Sequence, residues 1–107
     1  MEDNYQIIDA FLMIRMPEEI DHQVSGAISR RADALMLDRK VEHVVFDFAE
    51  TRFMDSSGIG ILAGRYRNIS SLGGKVYVIN APKRVLRILK MSGMEKIVEI
   101  MEEKEHE

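Results

Sequence analysis

The segment with the clearest potential for chemistry is a pair of serines preceded by an acid and followed by a glycine, Asp55-Ser56-Ser57-Gly58. It follows an apolar run and precedes an amphipathic one, so we predict that it lies between a strand and a helix start. Backbone N–H groups at a helix start are unpaired, and the helix dipole is positive there. A phosphate on these hydroxyls would find hydrogen-bond donors. The same residues are common helix caps, so capping alone is an alternative.

Two enzyme motifs fit this segment poorly. A hydrolase nucleophile elbow has the pattern Gly-x-Ser-x-Gly, and neither Ser56 nor Ser57 has the leading glycine. The glycines that follow have the wrong spacing for the dinucleotide motif Gly-x-Gly-x-x-Gly. We interpret Gly60 and Gly64 instead as positions where the helix packs closely on the sheet. A minimal serine hydrolase stays open as an alternative, with His22 as the only histidine expected near Ser57.

Composition excludes several other classes of site. The chain of 107 residues has no cysteine, which excludes disulfides, thiolate metal ligands and cysteine nucleophiles. Its three histidines, His22, His43 and His106, lack metal-ligand spacing, so we expect no metal and no cofactor. The net charge of -3 argues against a nucleic-acid binder. No apolar run approaches the roughly 18 residues of a membrane helix, and the acidic start is unlike a secretory signal. We therefore expect a cytoplasmic protein with no nucleic-acid or membrane partner.

Charge is distributed unevenly along the chain. Between Gly64 and Met94 there is no Asp or Glu. The basic residues of that stretch are Arg65, Arg67, Lys75, Lys83, Arg84, Arg87 and Lys90. Such a bias is typical of a solvated face, and it is also what a docking surface for an acidic partner requires.

The elements that position the serines alternate between strands and helices. Tyr5–Ile8 and residues 10–16 predict a hairpin, which Pro17 ends because proline has no N–H for the ladder. The remaining predicted elements are a helix capped by Asp21, a strand at 42–48, a loop at 49–54, a helix at 59–71, a strand at 75–79, a helix that opens at Ala81-Pro82 and closes at Ser92-Gly93, and a short strand at 96–100.

This order of elements predicts the fold class. Repeated strand–helix–strand units imply right-handed crossovers and a mostly parallel sheet, and the hairpin adds one antiparallel pair. We predict an α/β fold with a mixed, mostly parallel sheet of about five strands and helices packed on it. The length fits a single domain over residues 1–107. Residues 101–107 are mostly Glu, and we expect them to form a disordered tail.

The serine segment and its surroundings resemble the signature of anti-sigma factor antagonists with the STAS fold, and most closely those of the sporulation type. The resemblance rests on Phe53-Met54-Asp55-Ser56-Ser57-Gly58-Ile59-Gly60 followed by Gly64-Arg65-Tyr66. Further matches are Gly73-Gly74, Ala81-Pro82, Val85, Leu86 and Ser92-Gly93. The order of predicted elements also agrees over nearly the whole chain.

The resemblance implies which residues meet a partner. In that family the partner anti-sigma factor, a serine kinase, phosphorylates the second serine of the motif, which is Ser57 here. Asp55 is similar to a family acid that assists the kinase interaction, and Ser56 and Gly58 shape the loop. A second family segment, Gly-Glu-Leu-Asp, corresponds here to Glu18-Glu19-Ile20-Asp21, with Glu18 in place of the glycine. By this match Asp21 lies near the same face as the serines.

The resemblance also implies a regulatory function without catalysis. The unphosphorylated antagonist binds the kinase and frees a sigma factor, phosphorylation of Ser57 releases the kinase, and a metal-dependent serine phosphatase restores the active form. The alternatives within the same fold are a STAS antagonist of another stress or signalling cascade and a STAS module that binds a nucleotide or another small ligand.

Overall fold

The computed structural model describes residues 4–102. The helices are α1 (His22–Asp38), α2 (Ser57–Ile69) and α3 (Lys83–Met91). The strands are β1 (Tyr5–Ile8), β2 (Phe11–Arg15), β3 (Glu19–Ile20), β4 (His43–Asp47), β5 (Phe53–Met54), β6 (Val76–Ile79) and β7 (Glu99–Met101). Short 3-10 turns follow α2 and α3, at Ser70–Leu72 and Met94–Lys96.

Five of the strands form the main sheet, in the order β1-β2-β4-β6-β7. β1 and β2 pair antiparallel, and the other neighbours pair in parallel. The predicted α/β fold with a mixed, mostly parallel sheet is therefore confirmed. From β2 to β7 the chain moves across the sheet in one direction. Right-handed crossovers then place all three helices on the same face.

Burial alternates along β2 and β6 and shows which face the helices cover, whereas in β4, at the centre of the sheet, Val45 of the opposite face is also buried. The fully or almost fully buried side chains of β2, β4 and β6 on that face are Leu12, Ile14, Val44, Phe46, Val76 and Val78. On the opposite face Phe11, Met13 and Tyr77 stay partly exposed. The hydrophobic core thus lies between one face of the sheet and the helices, and the other face is open and largely apolar.

One predicted loop contains a strand. The stretch 49–54 ends in β5, which pairs in parallel with β3 as a separate two-stranded sheet. The loop prediction was wrong there because two-residue strands are too short to show a period-two pattern.

The end of the chain also differs from the prediction. The last strand begins at Glu99, since a 3-10 turn occupies Met94–Lys96. Met101 is the last residue of β7, so the predicted disordered tail does not begin at residue 101. Residues 103–107 of that tail lie outside the described residues.

The predicted close packing at Gly60 and Gly64 is wrong. A Cβ atom built on Gly60 meets nothing within 4 Å, and one on Gly64 meets only the end of a flexible side chain at 4.0 Å. Gly58 is the tight position instead, because a Cβ there would lie 2.5 Å from the sulfur of Met54. The glycine at 58 therefore lets the start of α2 approach β5.

An ion pair between a buried arginine and a half-exposed aspartate joins α1 to α2. Arg65 of α2 is only 6% exposed, and its Nε lies 3.1 Å from Oδ1 of Asp33 on α1. Asn68 donates to the same carboxylate oxygen at 3.0 Å. Burial lowers the pKa of Arg65, and the charge of Asp33 opposes that shift. Asp33 thus compensates a cation that the fold has removed from water.

We expect Asp33→Ala to lower the free energy of unfolding by about 1–3 kcal/mol, because it leaves the buried guanidinium without its counter-ion. Urea denaturation measures this value. Asp38→Ala is the matched control, since Asp38 pairs with Arg39 on the exposed surface, and it should stay within about 0.5 kcal/mol of wild type. Equal effects of the two substitutions would contradict the role of Asp33.

Candidate functional site

The pairing of β3 with β5 brings the starts of α1 and α2 together. Ile20 lies opposite Met54, and the N–H of Asp55 donates to the carbonyl of Ile20 at 3.0 Å. Asp21 and Asp55 directly follow the two paired residues. The segments that the sequence analysis singled out, 18–21 and 53–58, therefore lie side by side.

Glu18 occupies its turn without needing to be glycine. Its backbone is outside the left-handed region, since among the described non-glycine residues only Asp9 and Asn80 have positive φ. Its carbonyl accepts hydrogen bonds from the N–H groups of Arg52 at 2.8 Å and Phe53 at 3.1 Å. The replacement of the family's glycine therefore leaves the junction of the two segments intact.

Asp21 caps α1 as predicted. Its Oδ1 accepts a hydrogen bond from the N–H of Val24 at 3.0 Å. His22, expected in the first helical turn, is the first residue of α1. Because the N–H of Asp55 is bonded to the carbonyl of Ile20, the start of α1 lies beside the start of α2.

Asp55 holds Ser57 through two hydrogen bonds. Its Oδ1 accepts from the Ser57 N–H at 2.8 Å and from the Ser57 hydroxyl at 2.5 Å. Ser57 is the first residue of α2, whereas Ser56 precedes the helix, is exposed, and makes no side-chain capping bond. The two neighbouring hydroxyls therefore differ. The proton of Ser57 points to a carboxylate, which leaves the oxygen lone pairs available to an electrophile.

The same contacts lower the pKa of Asp55. The largest cause is the hydrogen bond from the Ser57 hydroxyl, followed by the bond from the Ser57 N–H. The charge and N–H of His22, at the start of the neighbouring helix, contribute less. Asp55 therefore stays ionised at neutral pH and continues to accept from Ser57.

We expect Ser57→Ala to raise the pKa of Asp55 toward its ordinary value, with part of the shift kept because the backbone N–H remains. A carbon-13 NMR titration of the carboxyl group measures this change.

Because the pKa of Asp55 is lower in the folded protein than in the unfolded one, its contact with Ser57 stabilises the fold above the unfolded-state pKa. That stabilisation disappears as pH falls through the folded-state pKa. The stability difference between wild type and Ser57→Ala should therefore vanish in acid, and Ser56→Ala should leave the titration unchanged.

The hydrolase alternative has no support in these contacts. No hydrogen bond joins His22 to Ser57 within the described residues, and the serine hydroxyl donates to a carboxylate instead. Within residues 4–102, no group of three or more His, Asp or Glu side chains could hold a metal ion. His43 is the first residue of β4, and His106 lies outside the described residues. None of the described helices combines the length and the apolar character needed to cross a bilayer.

A family model for the STAS domain matches residues 4–107. The chain belongs to the STAS-domain family. An anti-sigma F factor antagonist of Paenibacillus polymyxa is 38% identical to it over 89 residues, which are 83% of this chain and 76% of the relative. This similarity agrees with the resemblance seen in the serine segment.

Solved STAS structures show the same fold. The anti-sigma factor antagonist SpoIIAA in its unphosphorylated form superposes with a TM-score of 0.81 at 24% identity, over 92% of this chain and 87% of that one. The phosphorylated form of SpoIIAA from Bacillus gives a TM-score of 0.71 at 24% identity, over 92% of each chain. At this level of identity, the match establishes the architecture of the STAS domain.

Two residues that the sequence analysis did not include among the predicted partner contacts lie at this site. His22 is close enough to Asp55 to lower its pKa, and Phe53 on β5 is 46% exposed although it is a large apolar side chain. The pairing of β3 with β5 places both residues at the site. It sets His22 beside Asp55, and it leaves the side chain of Phe53 facing the solvent. Strands of two residues carry no pattern from which such a pairing could be read.

Proposed function

We propose that this STAS-domain protein is an anti-sigma factor antagonist that binds an anti-sigma factor serine kinase, and so frees a sigma factor, until Ser57 is phosphorylated. The observation that carries the proposal is the Ser57 hydroxyl at the start of α2, oriented by Asp55. The curated relative is named as an anti-sigma F factor antagonist, and SpoIIAA has been solved both unphosphorylated and phosphorylated. The protein itself is a cytoplasmic regulator and performs no catalysis.

The geometry of Ser57 suits it to accept a phosphoryl group. The serine oxygen attacks the γ-phosphorus of ATP, the bond from that phosphorus to the bridging oxygen breaks, and ADP leaves, while the hydroxyl proton passes through the Asp55 carboxylate to solvent. The hydroxyl proton already points to Asp55, so the attacking lone pair faces away from the carboxylate. Ser56 makes no side-chain capping bond, which supports Ser57 as the residue that is phosphorylated.

Phosphorylation changes the charge of this surface without requiring a change of fold. Phosphoserine adds about -1.5 to -2 charge at pH 7. The positive end of α2 partly offsets that charge within the domain. Across the interface the phosphate joins Asp21 and Asp55 against the acids and nucleotide phosphates of the kinase, so the complex dissociates. A metal-dependent serine phosphatase then restores the binding form.

The proposed contact residues divide into two roles. Asp21, Asp55, Ser56 and Ser57 lie at the partly or fully exposed starts of the two helices, and we assign them to direct contact with the kinase. Gly58 is buried against Met54, so its role is to hold α2 close to β5. The kinase therefore contacts the acids and hydroxyls, while Gly58 fixes their position.

The test is phosphorylation by the cognate anti-sigma factor kinase with ATP, followed by mass spectrometry of the digested protein. Wild type and Ser56→Ala should each carry one phosphate on Ser57, and Ser57→Ala should carry none. A phosphate on Ser56, or unchanged incorporation in Ser57→Ala, would contradict the assignment. Tight binding of ATP or GTP by the isolated domain in calorimetry would favour the alternative of a nucleotide-binding STAS module.

A further inference from the structure

The start of α3 carries a cluster of cations next to the candidate site. Lys83 and Arg84 occupy its first turn, Arg87 follows one turn later, and all three are exposed. Across residues 4–102, none of the three takes part in an ion pair. Arg84 reaches the residue that precedes β5, since its Nη1 donates to the carbonyl of Arg52 at 3.4 Å. The hydrogen bond places Arg84 beside the segment that leads to Ser57.

The dipole of α3 does not favour this placement. The start of a helix is the positive end of its dipole, so cations there are unfavourable and acids are favourable. The first turn of α3 has no acid, and its N-cap, Pro82, supplies no side-chain hydrogen bond. The cations therefore raise the electrostatic energy of the free protein. A bound acidic surface would lower it.

Phe53 provides an apolar contact beside these cations. It lies on β5, one residue from Arg52, and 46% of it is exposed. Aromatic and arginine side chains contribute most of the binding energy in many protein interfaces. We call Phe53, Lys83, Arg84 and Arg87 together the basic surface.

β5 separates this basic surface from the acids of the serine site. On one side β5 pairs with β3, which leads to Asp21, and on the other side it adjoins the start of α3. A partner that covers both sides meets acids on one flank and cations on the other. Such an arrangement allows one orientation of the partner and disfavours the reverse.

On the basis of the proposed function, we propose that the basic surface docks an acidic face of the anti-sigma factor kinase, with Phe53 in an apolar pocket, and so presents Ser57 to the bound ATP. The attraction acts at long range and raises the association rate. Once the two proteins are in contact, burial of Phe53 slows dissociation of the complex.

The experiment compares two double charge reversals in binding to the purified cognate kinase at low and high ionic strength. Arg84→Glu with Arg87→Glu alters the basic surface. Arg30→Glu with Lys40→Glu makes the same charge change on exposed cations of α1 and the segment after it. The first pair should weaken binding about tenfold or more at low salt, mainly through slower association, and much less at high salt. The control pair should bind like wild type.

Two further readouts separate docking from chemistry and from misfolding. The KM for phosphorylation should rise in the α3 double variant while kcat stays unchanged, because Ser57 and Asp55 are untouched. Phe53→Ala should dissociate faster at both salt concentrations. Circular dichroism and thermal unfolding of each variant should match wild type closely enough to exclude loss of the fold.

The outcomes distinguish this inference from the function on which it rests. If wild type is phosphorylated on Ser57 but the α3 double variant binds like its control, the docking surface is wrong and the proposed function stands. If wild type neither binds the kinase nor is phosphorylated by it, both are overturned. Equal losses in the two double variants would show a general charge effect and overturn docking at α3. If the α3 double variant binds the kinase like wild type but loses binding to phosphatidylserine vesicles, the basic surface would be assigned to membrane binding instead.

Discussion

Ser57→Asp is expected to weaken binding to the anti-sigma factor by about a hundredfold or more, because a like charge is introduced where the two proteins meet. The new carboxylate lies beside Asp55, which already carries a negative charge and loses its hydroxyl donor. Calorimetry or surface plasmon resonance with the purified kinase measures the change. The effect should exceed that of most exposed substitutions, which leave interfaces nearly unaltered.

Ser56→Asp is the matched control for this prediction. It adds the same charge one residue earlier, at an exposed position whose side chain makes no capping bond. We expect the affinity of Ser56→Asp for the kinase to fall by about tenfold or less, since no hydrogen bond fixes the position of the side chain at residue 56. Both variants should keep the circular dichroism spectrum of the wild-type protein. Equal losses of affinity would mean that charge alone, and not the oriented Ser57 position, controls binding.

Gly74→Ala is expected to lower the free energy of unfolding by about 3 kcal/mol, the upper part of the range for overpacked sites. Gly74 lies between the end of α2 and the start of β6. A Cβ there would overlap the carbonyl oxygen of Glu42 and lie 3.0 Å from Cβ of Ile69. Neither neighbour is the free end of a flexible side chain, so the backbone before β4 must move. Urea denaturation with a two-state fit measures the loss.

Gly60→Ala makes the same chemical change where space is available. Apart from the adjacent residues and the backbone of α2 itself, no atom lies within 4 Å of the added Cβ, and Gly60 is in the exposed part of α2. We expect this substitution to raise the free energy of unfolding by about 0.5–1 kcal/mol, because alanine loses less backbone entropy than glycine in a helix. A loss of stability in both variants would show that the packing around the two glycines has been misassigned.

The sequence predicted the long elements well because their patterns extend over many residues. The hairpin, the three helices and the central strands each show a periodicity, and the helix starts carry recognisable caps such as Asp21. The β3–β5 pairing could not be predicted in this way, since it joins two residues to two others that are far apart in the chain. It nevertheless determines which side chains meet at the site.

The site itself was predicted at the level of residues and not of contacts. The position of Asp55-Ser56-Ser57-Gly58 at a helix start follows from sequence. Which of two adjacent hydroxyls reaches Asp55 depends on the local backbone, and only the structure shows that it is Ser57. The segment between Gly64 and Met94, which contains no Asp or Glu, is a similar case. It includes Arg65, which is buried against Asp33, and Arg84, which is exposed. The order of charged residues along the sequence does not show which of these two arginines is buried.

The direction of the strands has a practical consequence for labelling the protein. Because β1 runs antiparallel to β2 and β7 runs parallel to β6, both ends of the described chain lie at the edge of the sheet where α2 begins. A fluorescent protein or affinity tag fused directly at either end of the described range would start from that edge and shield Ser57. Leu37, which is 89% exposed near the end of α1, lies at the opposite edge. Since the chain has no cysteine, Leu37→Cys would give a single attachment point for a dye or a surface, with Ser57 left facing the solution.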